Sequence, residues 1–257
     1  MADLSLWTGL AIGGATLAAG AVNAIAGGGT LISFPVLTAV GVPTVQANAT
    51  NTVSLCPGYL GGAAAQRDDL VGERSTLVAR AVVAGVGGVV GSVLLLVTSD
   101  DAFRRVVPFL ILLSCALLAA QDPLRRRLAI GAPDEAEPRT TSPLELAGIF
   151  GAALYGGFFG AGLGIMLIAV LGVLAHGPLN RVNATKQVLA FVINTSAAAL
   201  LAVSGTVAWD VAAVMAPCGL LGGAVGGRLA GSIPPARLRV VVIAVGVVVS
   251  AIYLVRG

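Results

Sequence analysis

The chain has 257 residues, of which 57% are hydrophobic and only 11% are charged, and its mean hydropathy is +0.96. Soluble domains average roughly 45–50% apolar and about 25% charged residues, so this composition excludes a soluble globular protein and indicates a bundle embedded in lipid. The net charge of +3 arises from arginines grouped at the ends of apolar runs. That grouping is typical of membrane-flanking anchors and argues against a nucleic-acid partner.

Apolar runs long enough to span a bilayer, about 20 residues each, recur along the chain. We predict eight transmembrane helices: residues 4–25, 45–66, 75–98, 103–121, 143–160, 184–204, 208–230 and 236–255. The first is expected to be a retained helix and not a cleaved signal, because MADLSLWTGL contains Asp3 and no basic stretch. Two apolar pieces, 30–41 and 165–176, are too short to cross alone and are predicted to be half-helices or re-entrant segments. The predicted fold class is therefore an all-α polytopic membrane protein.

A polar stretch near the middle of the chain, residues 121–142, is rich in proline and in charges of both signs. It predicts a solvent loop, 122–142, between a first membrane repeat, 1–121, and a second, 143–257. The three consecutive arginines at 125–127 favour a cytoplasmic location for this loop. Eight crossings would then place both termini in the cytoplasm as well.

The two halves match each other at an offset of 135 residues, without a gap. At this offset the triplet Asn-Ala-Thr at 48–50 aligns with 183–185, and Pro43 aligns with Pro178. Spaced glycines inside apolar runs coincide as well: Gly87, Gly88 and Gly91 with Gly222, Gly223 and Gly226. Apolar sequences often match by composition, but polar, proline and glycine positions in one register indicate a duplicated four-helix unit. The glycines spaced as GxxxG favour close packing between helices.

Each half also contains a glycine run between a spanning segment and a short apolar piece, AGGGTLISFP in the first half and GAGLGIMLIA in the second. A helix that restarts after such a run presents amide N–H groups and the positive end of its dipole, and both attract anions. In duplicated transporters, broken helices at equivalent positions of both halves point to the substrate site. The alternative is that these glycines only permit close packing of helices.

The two Asn-Ala-Thr triplets have the form of glycosylation sequons, yet they stand among apolar segments. Near the start of a membrane helix such side chains can cap amide groups or line a polar cavity, and the sequence leaves both uses open. Lys186, the only lysine, directly follows the second triplet and aligns with Asn51. It serves either as an interfacial anchor or as the counter-charge of an anion.

The predicted anion site combines backbone donors and side chains from both halves. The expected backbone donors are Gly27, Gly28, Gly29 and Thr30 in the first half and Gly162, Gly164 and Ile165 in the second. The side chains expected to line or brace the site are Asn48, Thr50, Asn51, Asn183, Thr185, Lys186 and Gln187.

Patterns of enzyme chemistry are absent from the sequence. It contains no HExxH or GxSxG motif and no paired carboxylates within a span, so we expect neither enzyme activity nor a cofactor. Cys56, Cys115 and Cys218 lack zinc or disulfide spacing and are expected to be packing residues. No acidic residue lies in mid-span, which disfavours proton coupling, although His176 is a candidate relay. An anion that leaves an inside-negative cell gains roughly 2.3 kcal/mol per charge per 100 mV, so export needs no coupling ion.

The segments AIAGGGTLISFPVLTAVGVPTVQANATNTVS and FFGAGLGIMLIAVLGVLAHGPLNRVNATKQV resemble the two copies of the motif of the TauE/SafE family. The resemblance covers essentially the whole chain. The family's glycine run, prolines and Ala-x-x-Thr element fall on Gly27 to Gly29, Pro35, Pro43, Ala47 and Thr50. The second copy departs from this pattern, because Val170 stands in place of the first proline and Leu163 interrupts the glycines.

This resemblance implies an inner-membrane permease that exports sulfite, sulfoacetate or related organosulfonates. Its expected partners are a small anionic substrate and the lipid bilayer, and a homo-oligomer is left open. Two other functions fit the same sequence, an anion channel and a membrane scaffold that transports nothing itself.

Overall fold

The structure is a computed structural model that describes residues 5–25, 28–65, 74–130, 141–174, 179–229 and 235–256. All regular secondary structure in these ranges is helical, which confirms the predicted all-α fold. The ten helices described are α1 (Leu6–Ile25), α2 (Thr30–Ala39), α3 (Thr44–Ala65), α4 (Arg74–Val97), α5 (Asp100–Ile130), α6 (Pro143–Phe158), α7 (Leu163–Leu174), α8 (Leu179–Val203), α9 (Trp209–Leu229) and α10 (Pro235–Arg256).

Six of these helices, α1, α4, α5, α8, α9 and α10, are long and apolar enough to cross a membrane. They correspond to six of the eight predicted spans. The other two predicted spans are helices as well, but α6 has only 16 residues and α3 carries polar side chains from Gln46 to Thr52. The two short apolar pieces form the short helices α2 and α7, as predicted. The chain is thus a multi-pass membrane protein.

Helix α5 extends further than the sequence predicts. Residues 122–130, assigned above to the central loop, continue this helix to Ile130. The reason is packing: Leu118 and Leu124 on this part of α5 lie in or against the hydrophobic core, and Gln121 is buried. The rest of the predicted loop up to residue 140 lies outside the described residues. The next helix, α6, then begins with Ser142 as its N-cap, whose hydroxyl accepts the Glu145 amide at 3.1 Å.

Several helices of the second half begin 135 residues after a helix of the first half. Helices α3, α4 and α5 start at Thr44, Arg74 and Asp100, and helices α8, α9 and α10 start at Leu179, Trp209 and Pro235. The helix boundaries therefore follow the same offset that aligns the Asn-Ala-Thr triplets.

Helices α1 and α9, which come from different halves, pack through backbone contacts at glycines. A side chain at Gly222 would clash with the Leu17 carbonyl oxygen, and a Cβ at Gly226 would lie 2.5 Å from the Ala21 Cα. Because the contacts advance along both helices together, α1 and α9 run in the same direction. The prediction that these GxxxG glycines serve close packing is confirmed.

Helices α4 and α6 form a second pair of this kind, again across the two halves. A Cβ at Gly87 would lie 2.6 Å from the Ala153 Cβ, and a side chain at Gly91 would clash with the Leu154 carbonyl oxygen. The Ser92 hydroxyl also lies 3.3 Å from the Gly157 carbonyl oxygen of α6. These two helices are parallel as well.

Polar contacts show which helix ends lie together at one end of the bundle, here called end A. The Val45 amide donates to the Asp100 carboxylate at 2.8 Å, so α3 and α5 both begin there. The Tyr253 hydroxyl donates to the Thr38 hydroxyl at 2.6 Å, which brings the last turns of α2 and α10 to the same end. The Ala208 amide donates to Thr50 Oγ1 at 3.0 Å in the second turn of α3, so α9 begins near end A. Since α1 is parallel to α9, it begins at end A too.

The opposite end of the bundle, end B, carries the middle of the sequence. Arg239 Nη1 lies 2.6 Å from Asp122 Oδ2, which pairs the start of α10 with the later part of α5 at end B. The prediction that the termini share a side with the central loop is therefore wrong, because α1 begins and α10 ends at end A. Helices α2 and α7 carry the chain back through part of the bundle, so each half changes ends once. Equivalent helices of the two halves consequently run in opposite directions.

Candidate functional site

The helices of both halves are interrupted at the two glycine runs. After α1 ends at Ile25 the chain resumes with Gly28, whose φ is +84°, and α2 then begins at Thr30. In the second half, α6 ends at Phe158, and Gly160 and Gly162 adopt φ values of +81° and +78° before α7 begins. Such values strain any residue with a Cβ, so glycine is required at these turns. Gly27 lies outside the described residues.

The two breaks lie against the same stretch of α5. A Cβ at Gly28 would lie 2.9 Å from Leu118 Cδ1, and a Cβ at Gly162 would lie 3.5 Å from Leu117 Cδ1 and 3.6 Å from the Ser114 Cα. The site predicted from two distant parts of the sequence is therefore brought together within one turn of a single helix.

Part of the backbone at each break is already hydrogen-bonded within the first turn. The Leu31 amide donates to the Gly28 carbonyl at 3.0 Å, and the Ile32 amide donates to the Gly29 carbonyl at 2.9 Å. In the second half the Ile165 amide donates to the Gly162 carbonyl at 2.9 Å. Ile165 is therefore not available as a backbone donor, which corrects the prediction for this residue. Tightened first turns of this kind satisfy some of the amides that a helix start leaves open.

Asn51 joins α3 to the first turn of α2. Its Oδ1 accepts the Ser33 hydroxyl at 2.5 Å, and its Nδ2 donates to Thr30 Oγ1 at 3.3 Å. Asn51 and Ser33 are only 2% and 1% exposed. The polar groups at the first break thus satisfy one another inside the protein.

The second break differs in the residues that stand at the corresponding positions. Ile165 and Ile168 replace Thr30 and Ser33, and Lys186 replaces Asn51. Lys186 is half-buried and lies beside the first turn of α7, where a Cβ at Gly164 would be 3.7 Å from Lys186 Cδ. A cationic side chain and the positive end of a helix are therefore neighbours on this side of the site.

Asn48 connects α3 with the end of α6, just before the second break. Its Nδ2 donates to the Phe158 carbonyl oxygen at 2.9 Å, and the residue has no exposed surface. Its Oδ1 is buried and has no hydrogen-bond partner among the described residues. This position disfavours a sugar acceptor and indicates that Asn48 braces the break.

The other predicted side chains divide into braces and partly accessible groups. Thr50 is fully buried and caps the start of α9 through its bond to the Ala208 amide, so it braces the site from a distance. Thr185 is also buried, whereas Asn183 and Gln187 are half-buried on the same helix as Lys186. His176 lies outside the described residues.

Two residues that sequence reasoning missed hold the second break in place. The Tyr155 hydroxyl donates to the Ala161 carbonyl oxygen at 2.6 Å, and the Ser114 hydroxyl lies 3.0 Å from the same oxygen. Both are single polar groups inside apolar runs, spaced 41 residues apart, which is why no local pattern identifies them. The signal that could have found them is the cost of burying an unbonded hydroxyl in a membrane helix.

One buried ion pair lies outside the site, at end B. Arg80 Nε lies 2.6 Å from Glu145 Oε1, and both side chains are 3% exposed. This pair links α4 to the first turn of α6. Within the described ranges, no group of three or more His, Cys, Asp or Glu residues could hold a metal ion.

The comparisons with known proteins agree with a membrane transporter. The family model described as sulfite exporter TauE/SafE matches residues 12–254. Among curated proteins, the chain is 31% identical over 215 residues to a probable membrane transporter protein of Haemophilus influenzae, covering 81% of this chain and 79% of that protein. It is 26% identical to the probable membrane transporter protein YfcA of Escherichia coli K12, covering 91% and 84%. It is 28% identical to the probable membrane transporter protein ORF9 of a Sinorhizobium species, covering 84% and 80%. No solved structure matches the chain.

Proposed function

The chain belongs to the sulfite exporter TauE/SafE family of membrane transporters, and we propose that it exports small sulfur-containing anions such as sulfite, sulfoacetate or related organosulfonates. The substrate binds between the two helix breaks that face α5. We place the protein in the inner membrane, with six helices of sufficient length and apolarity to support a multi-pass arrangement.

The observation that carries this proposal is the unequal filling of the two breaks. At the first break, Asn51 occupies the polar groups of Thr30 and Ser33. At the second, Lys186 lies against Gly164, and Ile165 and Ile168 supply no hydroxyl group. A positive side chain next to the positive end of a helix is unfavourable in a low-dielectric setting, and an anion held between them stabilises both. The bound anion therefore lies on the α7 and α8 side of the site.

We further propose that residues 1–121 and 143–257 are inverted repeats joined by 122–142. Three pairs of helices begin 135 residues apart, and equivalent helices run in opposite directions between ends A and B. Inverted repeats with broken helices are the arrangement by which many carriers open their site alternately to the two sides of the membrane. This support favours a carrier over a channel.

Reconstitution of the purified chain in liposomes tests the function. We expect labelled sulfite to leave loaded vesicles at a rate that saturates with sulfite concentration, because each molecule must occupy the site. The same vesicles without protein serve as the control. No flux would indicate a scaffold, and flux that rises linearly without saturation would indicate a channel.

A further inference from the structure

The tightest helix contacts of the bundle cross the boundary between the two halves of the sequence. Helix α1 lies against α9, and α4 lies against α6, in both cases at glycines where backbone atoms replace side chains in the contact. Interdigitated backbones cannot slide past each other without collisions between main-chain atoms. Each pair is therefore a rigid unit.

A third helix joins each of these pairs. Helix α3 packs on α9, where a Cβ at Gly219 would lie 3.2 Å from Leu55 Cδ2, and the Thr50 cap adds a hydrogen bond between the same two helices. Helix α8 packs on α4, where a Cβ at Gly88 would lie 2.9 Å from the Ile193 carbonyl oxygen. We call α1, α3 and α9 group one, and α4, α6 and α8 group two.

The contact between the groups has a different character where α3 meets α8. Helix α8 contains no glycine, so side chains separate its backbone from α3. Cys56 Sγ lies 3.7 Å from Thr195 Oγ1 across this contact, and Thr195 is exposed. On α3, no described atom lies within 4 Å of a Cβ built at Gly58. We call this contact the α3–α8 seam.

The seam also separates the two sides of the proposed anion site. Asn51 lies on α3 in group one, and Lys186 lies on α8 in group two. A displacement along the seam therefore changes the distance between the two halves of the site, while the glycine contacts inside each group stay closed.

We propose that groups one and two are the bodies that move against each other during transport, with α4 and α9 exchanged between the two halves of the sequence. This inference rests on the proposed carrier function. It differs from a movement of residues 1–121 against residues 143–257, because that movement would have to break the contacts α1–α9 and α4–α6.

Two engineered disulfides, each formed with a native cysteine, distinguish these movements. A Cβ at Gly13 would lie 3.3 Å from Cys218 Sγ, so Gly13→Cys, with Cys56→Ala and Cys115→Ala, links α1 to α9 inside group one. Thr195→Cys, with Cys115→Ala and Cys218→Ala, links α8 to Cys56 across the seam. Both disulfides join the first half of the sequence to the second, so they are matched controls for each other.

We expect oxidation of the Gly13→Cys protein to leave sulfite efflux within about twofold of its reduced rate, and oxidation of the Thr195→Cys protein to lower efflux at least about tenfold, reversibly with dithiothreitol. Loss of efflux with both disulfides would show that the halves of the sequence move as units and would overturn the proposal. Retention of efflux with both would overturn it as well, because the seam would then not move.

A distance measurement keeps this inference separate from the transport function and from the folding of the disulfide variants. Spin labels are placed in a cysteine-free background at Gly14 and Gly223, where no described atom lies within 4 Å of a built Cβ, and at Gly58 and Thr195. We expect one narrow distance for the pair within group one and a broad or two-peaked distribution across the seam. A narrow distance for both pairs would overturn the proposal, whereas absence of sulfite flux in the unmodified protein would overturn only the transport function.

Discussion

Replacement of Lys186 by alanine is expected to raise the sulfite concentration needed for half-maximal efflux by about tenfold to a hundredfold, equivalent to about 1.4–2.8 kcal/mol of binding free energy. Lys186 lies beside Gly164 in the first turn of α7 and supplies the cationic side chain on this side of the proposed site. Without it, the anion keeps only the helix end and neutral groups. Efflux from proteoliposomes across a range of sulfite concentrations measures the change.

The matched control for this variant is Arg228→Ala, which removes the same charge from an exposed position on α9. We expect it to leave the half-saturating concentration within about twofold of the original value, since charges in contact with water are screened. Lys186→Arg keeps the charge and should recover part of the lost affinity. Equal efflux by the Lys186→Ala and Arg228→Ala proteins would remove Lys186 from the site and return it to the role of an interfacial anchor.

Replacement of Gly222 by alanine is expected to lower the free energy of unfolding by about 3 kcal/mol, near the upper end of the usual cost of overpacking. A methyl group at this position would clash with the Leu17 carbonyl oxygen of α1. Because the obstructing atom belongs to the backbone, the two helices must separate along their whole contact. Thermal or denaturant unfolding in detergent micelles measures the loss.

The neighbouring glycine provides the control within the same helix. No described atom lies within 4 Å of a Cβ built at Gly223, so Gly223→Ala adds a methyl group without a clash. It should stabilise the protein by up to about 1 kcal/mol through the higher helix propensity of alanine. Similar unfolding of the two variants would contradict the close packing of α1 on α9.

Much of the helical architecture is predictable because lipid imposes a strong constraint on sequence. A spanning helix needs about 20 apolar residues, and the short segments that became α2 and α7 were recognisable by their length. The end of α5 was not predictable in the same way. Its charged and proline-containing turns resemble a loop in composition, and only the burial of Gln121 against neighbouring helices shows that the helix continues.

The relation between the helices lay outside what spacing can show. The offset of 135 residues predicts which helices correspond, but it does not predict that α1 packs on α9 and α4 on α6. The glycines at these contacts indicate close packing without naming the partner. The directions of the helices likewise depend on how far α2 and α7 return through the bundle, which their length alone leaves undetermined.

The candidate site was predictable to the extent that it depends on residues of rare type. Polar asparagines and one lysine are conspicuous in apolar helices, and the structure brings Asn51 and Lys186 to the first turns of α2 and α7. The bonded state of individual amides was not predictable, as Ile165 shows. The support given by Tyr155 and Ser114 to the Ala161 carbonyl depends on contacts between distant helices and leaves no local pattern.

The most direct measurement is the position of a bound anion in crystals or frozen particles of the protein with selenite, a heavier oxyanion of the same shape as sulfite. Anomalous scattering or density from selenium locates it without ambiguity. We predict selenium between the two breaks, close enough to Lys186 and the Gly164 amide for its oxygens to accept their hydrogen bonds. Selenium bound only elsewhere in the bundle, in a protein that transports sulfite, would contradict the proposed site.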